Sequence, residues 1–336
     1  MLFASVDPSN EGCLMRDAFS RALVEAARQD ERVILLTGDH GYALFDEFRR
    51  LCPSQYLNAG VAEQNMVGVA AGLAKGGFRP IVYGLAAFVP VRVLEQIKLD
   101  ICYENLPVIF VGDGAGVVYS ALGTSHQCTE DIAALRALPN LSILSPADAH
   151  EMTACMELAR EHSGPVYLRM GKSDLGAVHT AKPDLRWGGI CPLVTGDGPL
   201  AFIATGSMVQ TALRVAEHWK GSEVWSAPSL KPLDAATVRE ICRGHQVVVT
   251  LEEHSIHGGL GAAVAEIASA EAPTWICRIG VRDRFSQDCG SYDYLLREHA
   301  LDRPAVLSQV REFLAARNID VPIDASAPAI HSKRAA

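Results

Sequence analysis

What most constrains this chain is a repeated alternation in which short, wholly apolar runs follow segments of helical period. The first instance is LMRDAFSRALVEAARQDERVILLTGDHG, where Leu14, Ala18, Leu23 and Ala26 recur at helical spacing before an apolar run at 33–36 that exits through Gly and Asp. The same order predicts helices over 63–75, 91–103, 130–138 and 149–161, interleaved with strands over 80–83, 107–111, 141–144 and 165–169. A strand that is apolar at every position has no face to offer water, so helices must cover both sides of its sheet. Between Gly171 and Gly198 the pattern lapses into a stretch rich in Gly, Pro, Asp and Lys. It then restarts, with strands expected over 200–204, 223–227, 246–251 and 274–279 and helices over 208–219, 235–242, 262–271 and 306–315. The expected fold class is α/β: two three-layer αβα domains, with a parallel sheet in the first and a mostly parallel or mixed sheet in the second. The boundaries expected are 1–185 and 190–322, with 323–336 a flexible tail, and 336 residues suit two cores.

Composition removes several classes of function. The net charge of -9 is spread along the chain, leaving no basic stripe to meet a phosphate backbone, so nucleic acid is not an expected partner. No apolar run is long enough to span a bilayer and no segment has a signal-peptide layout, so a cytoplasmic protein with no membrane partner is expected. The nine cysteines are scattered, without a Cys-x-x-Cys pair, and read as reduced thiols filling the core.

Glu63 raises a narrower question, because in YLNAGVAEQNMVGVAAGLAKGG it stands where a small-residue, apolar helix begins. A carboxylate in a helix first turn gains about 0.3–1 kcal/mol from the macrodipole without any other task. The surrounding sequence supplies another reading. GDHGYALFDEFRRLCPSQYLNAGVAEQNMVGVAAGLAKGG resembles the pyrimidine-binding domain of the transketolase family of thiamine diphosphate enzymes, whose shared acid lies in a G-[IV]-[AR]-E-Q motif matched here by GVAEQN. The resemblance runs on through PIVYGLAAFVPVRVLEQIKLDICYENLPVIF and LGTSHQCTEDIAALRALPNLSILSPADAHEM, and in the second unit through LKPLDAATVREI and VVVTLEEHSIHGGLGAAVAEI.

The resemblance implies roles for particular residues. Glu63 would hydrogen-bond a ring nitrogen of the cofactor's aminopyrimidine, which needs the protonated acid, and an apolar surround of Val61, Met66 and Val67 is expected to favour that form. Phe88 would stack on the aminopyrimidine, standing more alone than in transketolases because Val91 and Leu94 replace further aromatics. Asp39 would lie near the thiazolium ring, with His40 and Tyr42 beside it. His126, in GTSHQ, falls where the family places a His that manages substrate protons, with Gln127 next to it. Leu122, Thr124 and Ser125 depart from the family pattern around that His, so substrate choice is expected to differ. Arg169, with Lys172 close by, falls where the family holds a substrate phosphate, although an inter-domain ion pair reads equally well. Gly114 and Val91 stand where phosphate-binding members carry further arginines. In LEEHSIHGGLG the residues Glu253, His254 and His257 read as structural.

A thiamine diphosphate site also needs Mg²⁺, which the family holds through a Gly-Asp-Gly triplet and a later Asn of a separate domain. VGDGAG, with Asp113, and Asn140 imitate that pattern, but their context matches the pyrimidine domain throughout, and the triplet at 196–198 is followed only by the distant Asn318. No metal ligand is assigned in this chain. The reading is therefore the pyrimidine-binding subunit of a split transketolase-like enzyme, passing a two-carbon unit from a ketose or 2-oxo donor to an aldehyde. Its expected partners are a separate N-terminal subunit carrying the diphosphate and Mg²⁺, a second copy of itself within a heterotetramer, and a small sugar or 2-oxo substrate. The beta subunit of a 2-oxo acid dehydrogenase and a non-catalytic scaffold subunit are the alternatives.

Overall fold

The computed structural model describes residues 14–324; Cys13 and 325–336, most of the expected tail, lie outside the described residues. In the opening helix α1 (Met15–Gln29), Met15, Phe19, Leu23 and Ala26 fall on one stripe and are buried. That stripe fixes how the helix lies on the sheet behind it. There follow β1 (Val33–Thr37), α2 (Asp46–Leu51), β2 (Tyr56–Asn58), α3 (Glu63–Lys75) and β3 (Arg79–Leu85). The helix expected over 91–103 is instead three short pieces: a 3₁₀ turn Val91–Val93, α4 (Leu94–Gln96) and a π-helical turn Ile97–Cys102. Next come β4 (Ile109–Asp113), α5 (Asp131–Arg136), β5 (Ser142–Leu144), α6 (Ala149–Glu161) and β6 (Val166–Met170).

The second half comprises β7 (Cys191–Val194), β8 (Leu200–Ala204), α7 (Met208–Ala216), β9 (Glu223–Ser226), β10 (Ser229–Lys231), α8 (Ala235–Gly244), β11 (Val247–Ser255), α9 (Leu260–Glu271), β12 (Trp275–Val281), α10 (Tyr292–Glu298) and α11 (Arg303–Ala315). Its sheet has the order β12-β11-β8-β9-β7 and is parallel except where β7 runs against β9. The first sheet has the order β10-β5-β6-β4-β3-β1-β2. Six of its strands are parallel, and β10 joins antiparallel from the second half of the chain. The two halves thus share a sheet edge as well as a boundary.

They also share a core. Alternate residues of a strand face opposite ways, so Val82, Phe110 and Ile143 of the first sheet meet Ala201, Ile203 and Val248 of the second through the apolar faces of α3, α8 and α9. Ile81, Tyr83 and Ile109 point the other way, against α1 and α6, while Leu200, Phe202 and Val247 pack outward against α7 and α11. Among the described residues no helix is long and apolar enough to cross a membrane. The eight described cysteines are free. One of them, Cys191, meets Glu151 of α6 and His179 of the connecting segment, with donor atoms within 4.8 Å of one another. His179 Nε2 is 2.7 Å from Glu151 Oε1, and Asp148 accepts the amides of Val178 and His179, so the connection is pinned to the start of α6.

Candidate active site

In a parallel sheet the loops leaving the carboxyl ends of the strands gather along one edge, where ligand sites form. Four such loops converge here. After β1 the chain passes through Gly38 to Asp39 and His40; after β2 it reaches Glu63; after β3 it reaches Phe88; after β4 a long loop carries His126. A Cβ on Gly38 would stand 3.1 Å from the carbonyl oxygen of Gly60, so the loop after β1 runs hard against the approach to α3.

Glu63 is the first residue of α3, and its side chain is 6% exposed. Arg92 Nη1 donates to its Oε1 at 2.9 Å. The same guanidinium lies over Phe88, 4.0 Å from the ring centroid. Phe88 also meets His126, edge-on at 5.3 Å between centroids, and His40 at 5.9 Å. Ser125 Oγ is 3.0 Å from His126 Nδ1, which fixes that ring by one nitrogen. His40 is held through its backbone by Thr37 Oγ1, leaving Nδ1 enclosed without a partner. Asp39, in a left-handed conformation at φ 64°, lies on the exposed rim and shares its carboxylate between Asn58 Nδ2 at 3.3 Å and Tyr42 OH at 3.4 Å. Glu63, Phe88, His126 and His40 are therefore brought together, with Asp39 at the border.

Three expectations need correcting. Val61 is 76% exposed and does not enclose Glu63; Met66 and Val67 are buried, but the carboxylate itself faces Arg92 rather than an apolar surround. Gln127 is buried and turned away from His126, its Oε1 accepting from Ser286 Oγ at 2.6 Å. Arg169 is enclosed at the end of β6, where Nε donates to Asp131 Oδ2 at 2.8 Å and Nη2 to the carbonyl of Glu253 at 2.9 Å. Tyr167 OH donates to the same Asp131 oxygen at 2.6 Å. Burial opposes ionisation of Asp131, yet Arg169, His254 and Tyr167 together hold its carboxyl below the usual range. Neither reading of Arg169 holds as made: its ion pair, with Asp131, lies within the first unit, and it reaches the second through a hydrogen bond to the Glu253 carbonyl. Lys172 is likewise engaged, with Asp174 at 2.6 Å.

The Glu252–His254 stretch sits under this pair. Glu252 accepts the amides of Leu260 and Gly261 at the start of α9, and burial pushes its carboxyl up to about 7. Glu253 accepts from Val117 N at 2.7 Å and Tyr292 OH at 2.6 Å, which ties the loop after β4 to α10. His254 accepts from Ala133 N through Nε2 and faces the carbonyl of Ser255 through Nδ1, and burial lowers it to about 4. Glu253 and His254 are structural, as read, whereas His257 is exposed.

Asp113 and Asn140 do not form one site. Asp113 ends β4 and is bound by Tyr83 OH at 2.8 Å and Tyr119 OH at 3.0 Å. Asn140 precedes β5 at the opposite edge of the same sheet, its amide donating to the carbonyl of Cys102 at 2.9 Å. Phe88 offers a ring face and Glu63 an enclosed carboxyl, which fit a heteroaromatic ring bearing nitrogen acceptors and an amino group. The residues that could hold its diphosphate and metal are tied up elsewhere. Sequence reasoning missed Arg92: the chain between it and Phe88 is a turn rather than a helix, so neither its contact with Phe88 nor its pairing with Glu63 had a local signal.

Fold and site define an α/β chain with an enclosed carboxylate, an aromatic ring and two histidines gathered at the carboxyl ends of its first sheet. The family models for the transketolase pyrimidine-binding domain and the transketolase C-terminal domain match residues 11–177 and 193–306. An apulose-4-phosphate transketolase subunit of Phocaeicola vulgatus is 33% identical over 318 residues, covering 91% of this chain and 99% of its own. A 6-deoxy-6-sulfo-D-fructose transketolase subunit of a Clostridium strain is 32% identical, over 90% of this chain and 95% of its own. A solved structure described as a split gene transketolase, inactive beta4 tetramer, superimposes with a TM-score of 0.81 at 34% identity, covering 90% of this chain and 99% of that one. The chain belongs to the transketolase family of thiamine diphosphate-dependent transferases.

Proposed function

We propose that this chain is the pyrimidine-binding subunit of a split transketolase-like enzyme that moves a two-carbon ketol or acyl unit from a ketose or 2-oxo donor to an aldehyde. The observation that carries this reading is the convergence of Glu63, Phe88 and His126 on one sheet edge. Bound thiamine diphosphate supplies the nucleophilic thiazolium carbon that takes up the two-carbon unit. Phe88 gives the pyrimidine a flat apolar face, and Glu63, once protonated, donates to its ring nitrogen. His126, anchored at Nδ1 by Ser125, has Nε2 to exchange a proton with the substrate oxygen as it passes between carbonyl and hydroxyl. Asp39 and His40 border the site from the loop after β1.

The diphosphate and Mg²⁺ fall to a separate N-terminal transketolase-like subunit. Support comes from the separation of Asp113 from Asn140, from relatives that are themselves named as subunits, and from the solved relative whose beta4 assembly is described as inactive. A dimer of this chain within a heterotetramer completes the reading, with domains at 1–185 and 190–322 and a cytoplasmic setting that suits its free thiols. Leu122, Thr124 and Ser125, together with the enclosure of Arg169, favour an acceptor recognised differently from that of transketolases proper.

The test is calorimetric titration of thiamine diphosphate and Mg²⁺ into this chain alone and into its mixture with the transketolase-like N-terminal subunit. Binding is expected in the mixture only, with turnover lost in Glu63→Gln. Tight Mg²⁺-dependent binding by the chain alone would overturn the division of labour. Absence of binding in both would overturn the enzyme reading.

A further inference from the structure

Arg92 makes, within this chain, both contacts that the proposed function gives to the aminopyrimidine. Its guanidinium is planar, lies 4.0 Å above Phe88 and donates to Glu63 at 2.9 Å. An aminopyrimidine is likewise planar and would need the same ring face and the same carboxyl oxygen. The two cannot hold those positions together.

We infer that Arg92 is a positioning residue that stands in for the aminopyrimidine, holding Glu63 and Phe88 in place before the cofactor arrives and yielding to it on binding. The inference rests on the proposed function and deepens it. Three features let the exchange occur without disturbing the core. Arg92 lies on the short 3₁₀ turn after β3 rather than inside a regular helix, its side chain is 45% exposed, and the groups it covers, the first residue of α3 and Phe88 of the turn after β3, stand at the open edge of the sheet. The exchange also changes what Glu63 does. Facing a guanidinium, the carboxylate accepts a hydrogen bond; facing a pyrimidine ring nitrogen, it must donate one, and the proton it needs comes from solvent. Arg92 thereby keeps an enclosed acid paired while no cofactor is present, when an unpaired charge would be costly.

Displacing a half-exposed ion pair and its cation–π contact should weaken cofactor binding by roughly tenfold. Removing the competitor should recover that factor. The experiment titrates thiamine diphosphate with Mg²⁺ into this chain mixed with its N-terminal partner subunit, comparing the native protein with Arg92→Met and Arg92→Gln, each first checked for a native circular dichroism spectrum and for assembly with the partner. Inorganic diphosphate with Mg²⁺, which lacks the pyrimidine, is the second probe. The expected result is about tenfold tighter binding of thiamine diphosphate in both variants and no change for inorganic diphosphate. Equal or weaker thiamine diphosphate binding in the variants overturns the inference and leaves the proposed function standing, since Arg92 would then merely support Glu63. An equal gain for both probes also overturns it, by assigning Arg92 to general electrostatics. Failure of thiamine diphosphate to bind any of the three proteins overturns the proposed function and this inference with it.

Discussion

Asp131→Asn should destabilise this protein by about 3–5 kcal/mol, a large fraction of what a folded chain possesses. Asp131 is fully buried and Arg169 is 2% exposed, so neither charge can turn to water when the other is removed. Asparagine can still accept from Tyr167 OH, but it leaves the guanidinium enclosed with only the carbonyls of Glu253 and Cys128 for company. The double substitution Asp131→Leu with Arg169→Met removes both charges and should recover at least half of the loss, because the pair's attraction and its desolvation largely cancel. Urea unfolding provides the assay. Trp187 packs on the first half's core beside His162 and is changed to Phe in every protein compared; the remaining tryptophans, Trp219, Trp225 and Trp275, belong to the second half, whereas Asp131 belongs to α5 of the first half. A lower midpoint in tryptophan fluorescence would therefore show that the loss crosses from one half to the other, as the bond from Arg169 to Glu253 requires. A cost below about 1 kcal/mol, or a double variant no better than the single one, would refute the argument.

His254 and Glu252 should oppose one another in pH dependence. Between about pH 4 and 6.5 the unfolded chain protonates His254 while the fold keeps it neutral, so its contribution makes stability rise with pH. Glu252 holds its proton in the fold up to about pH 7 but loses it near 4.5 when unfolded, so its contribution makes stability fall across that window. Glu252→Gln should unmask a rise of about 3 kcal/mol between pH 4 and 6.5 in urea midpoints, and a flat or falling profile would contradict the assignment. Gly112→Ala places a Cβ 2.5 Å from Tyr167 Oη and should cost about 1–3 kcal/mol in the same assay, since Tyr167 is buried and tied to Asp131; a neutral outcome would mean that the ring can move. Ser286→Ala removes the bond to Gln127 Oε1 and should cost about 1 kcal/mol, read as faster amide exchange from Gly123 to His126; unchanged exchange would show that other contacts hold this loop.

The fold was legible where its causes are local. The helices expected over 63–75 and 149–161 have those bounds, because apolar spacing and an acidic or capping start are written within each segment. In α6 the cap is Asp148, whose side chain accepts from Glu151 N. Two of the elements not foreseen are decided by distant partners. β10 is the triplet Ser-Leu-Lys, with no strand pattern of its own, and it exists because β5 presents an open edge to it across the boundary. β2 is similar: Tyr56–Asn58 pair with Leu35–Thr37 at the other edge, with side chains largely in water.

The site was legible to the same extent and for the same reason. Phe88 and His126 each follow the carboxyl end of a strand expected from the sequence, whereas Glu63 follows the unforeseen β2 and is marked by its motif instead. Arg169 obeys the strand-end rule too, at the end of β6, and the rule misleads there because the second half of the chain is docked over that end through Glu253, whose carbonyl accepts from Arg169. Topology places a residue on the active edge; docking decides whether it stays open. The same distinction explains Gln127, which the loop at Ser286 draws inward. What remains open lies around the ends of β1, β2 and β3, bordered by Tyr42 and Val61, which are 70% and 76% exposed. On the proposed function these two side chains lie on the rim that the partner subunit covers. The covered end of β6 and the bare ends of β1 to β3 are thus two sides of one arrangement: the second half of this chain seals one flank of the edge, and on the proposed function the flank left bare is the one offered to the partner subunit.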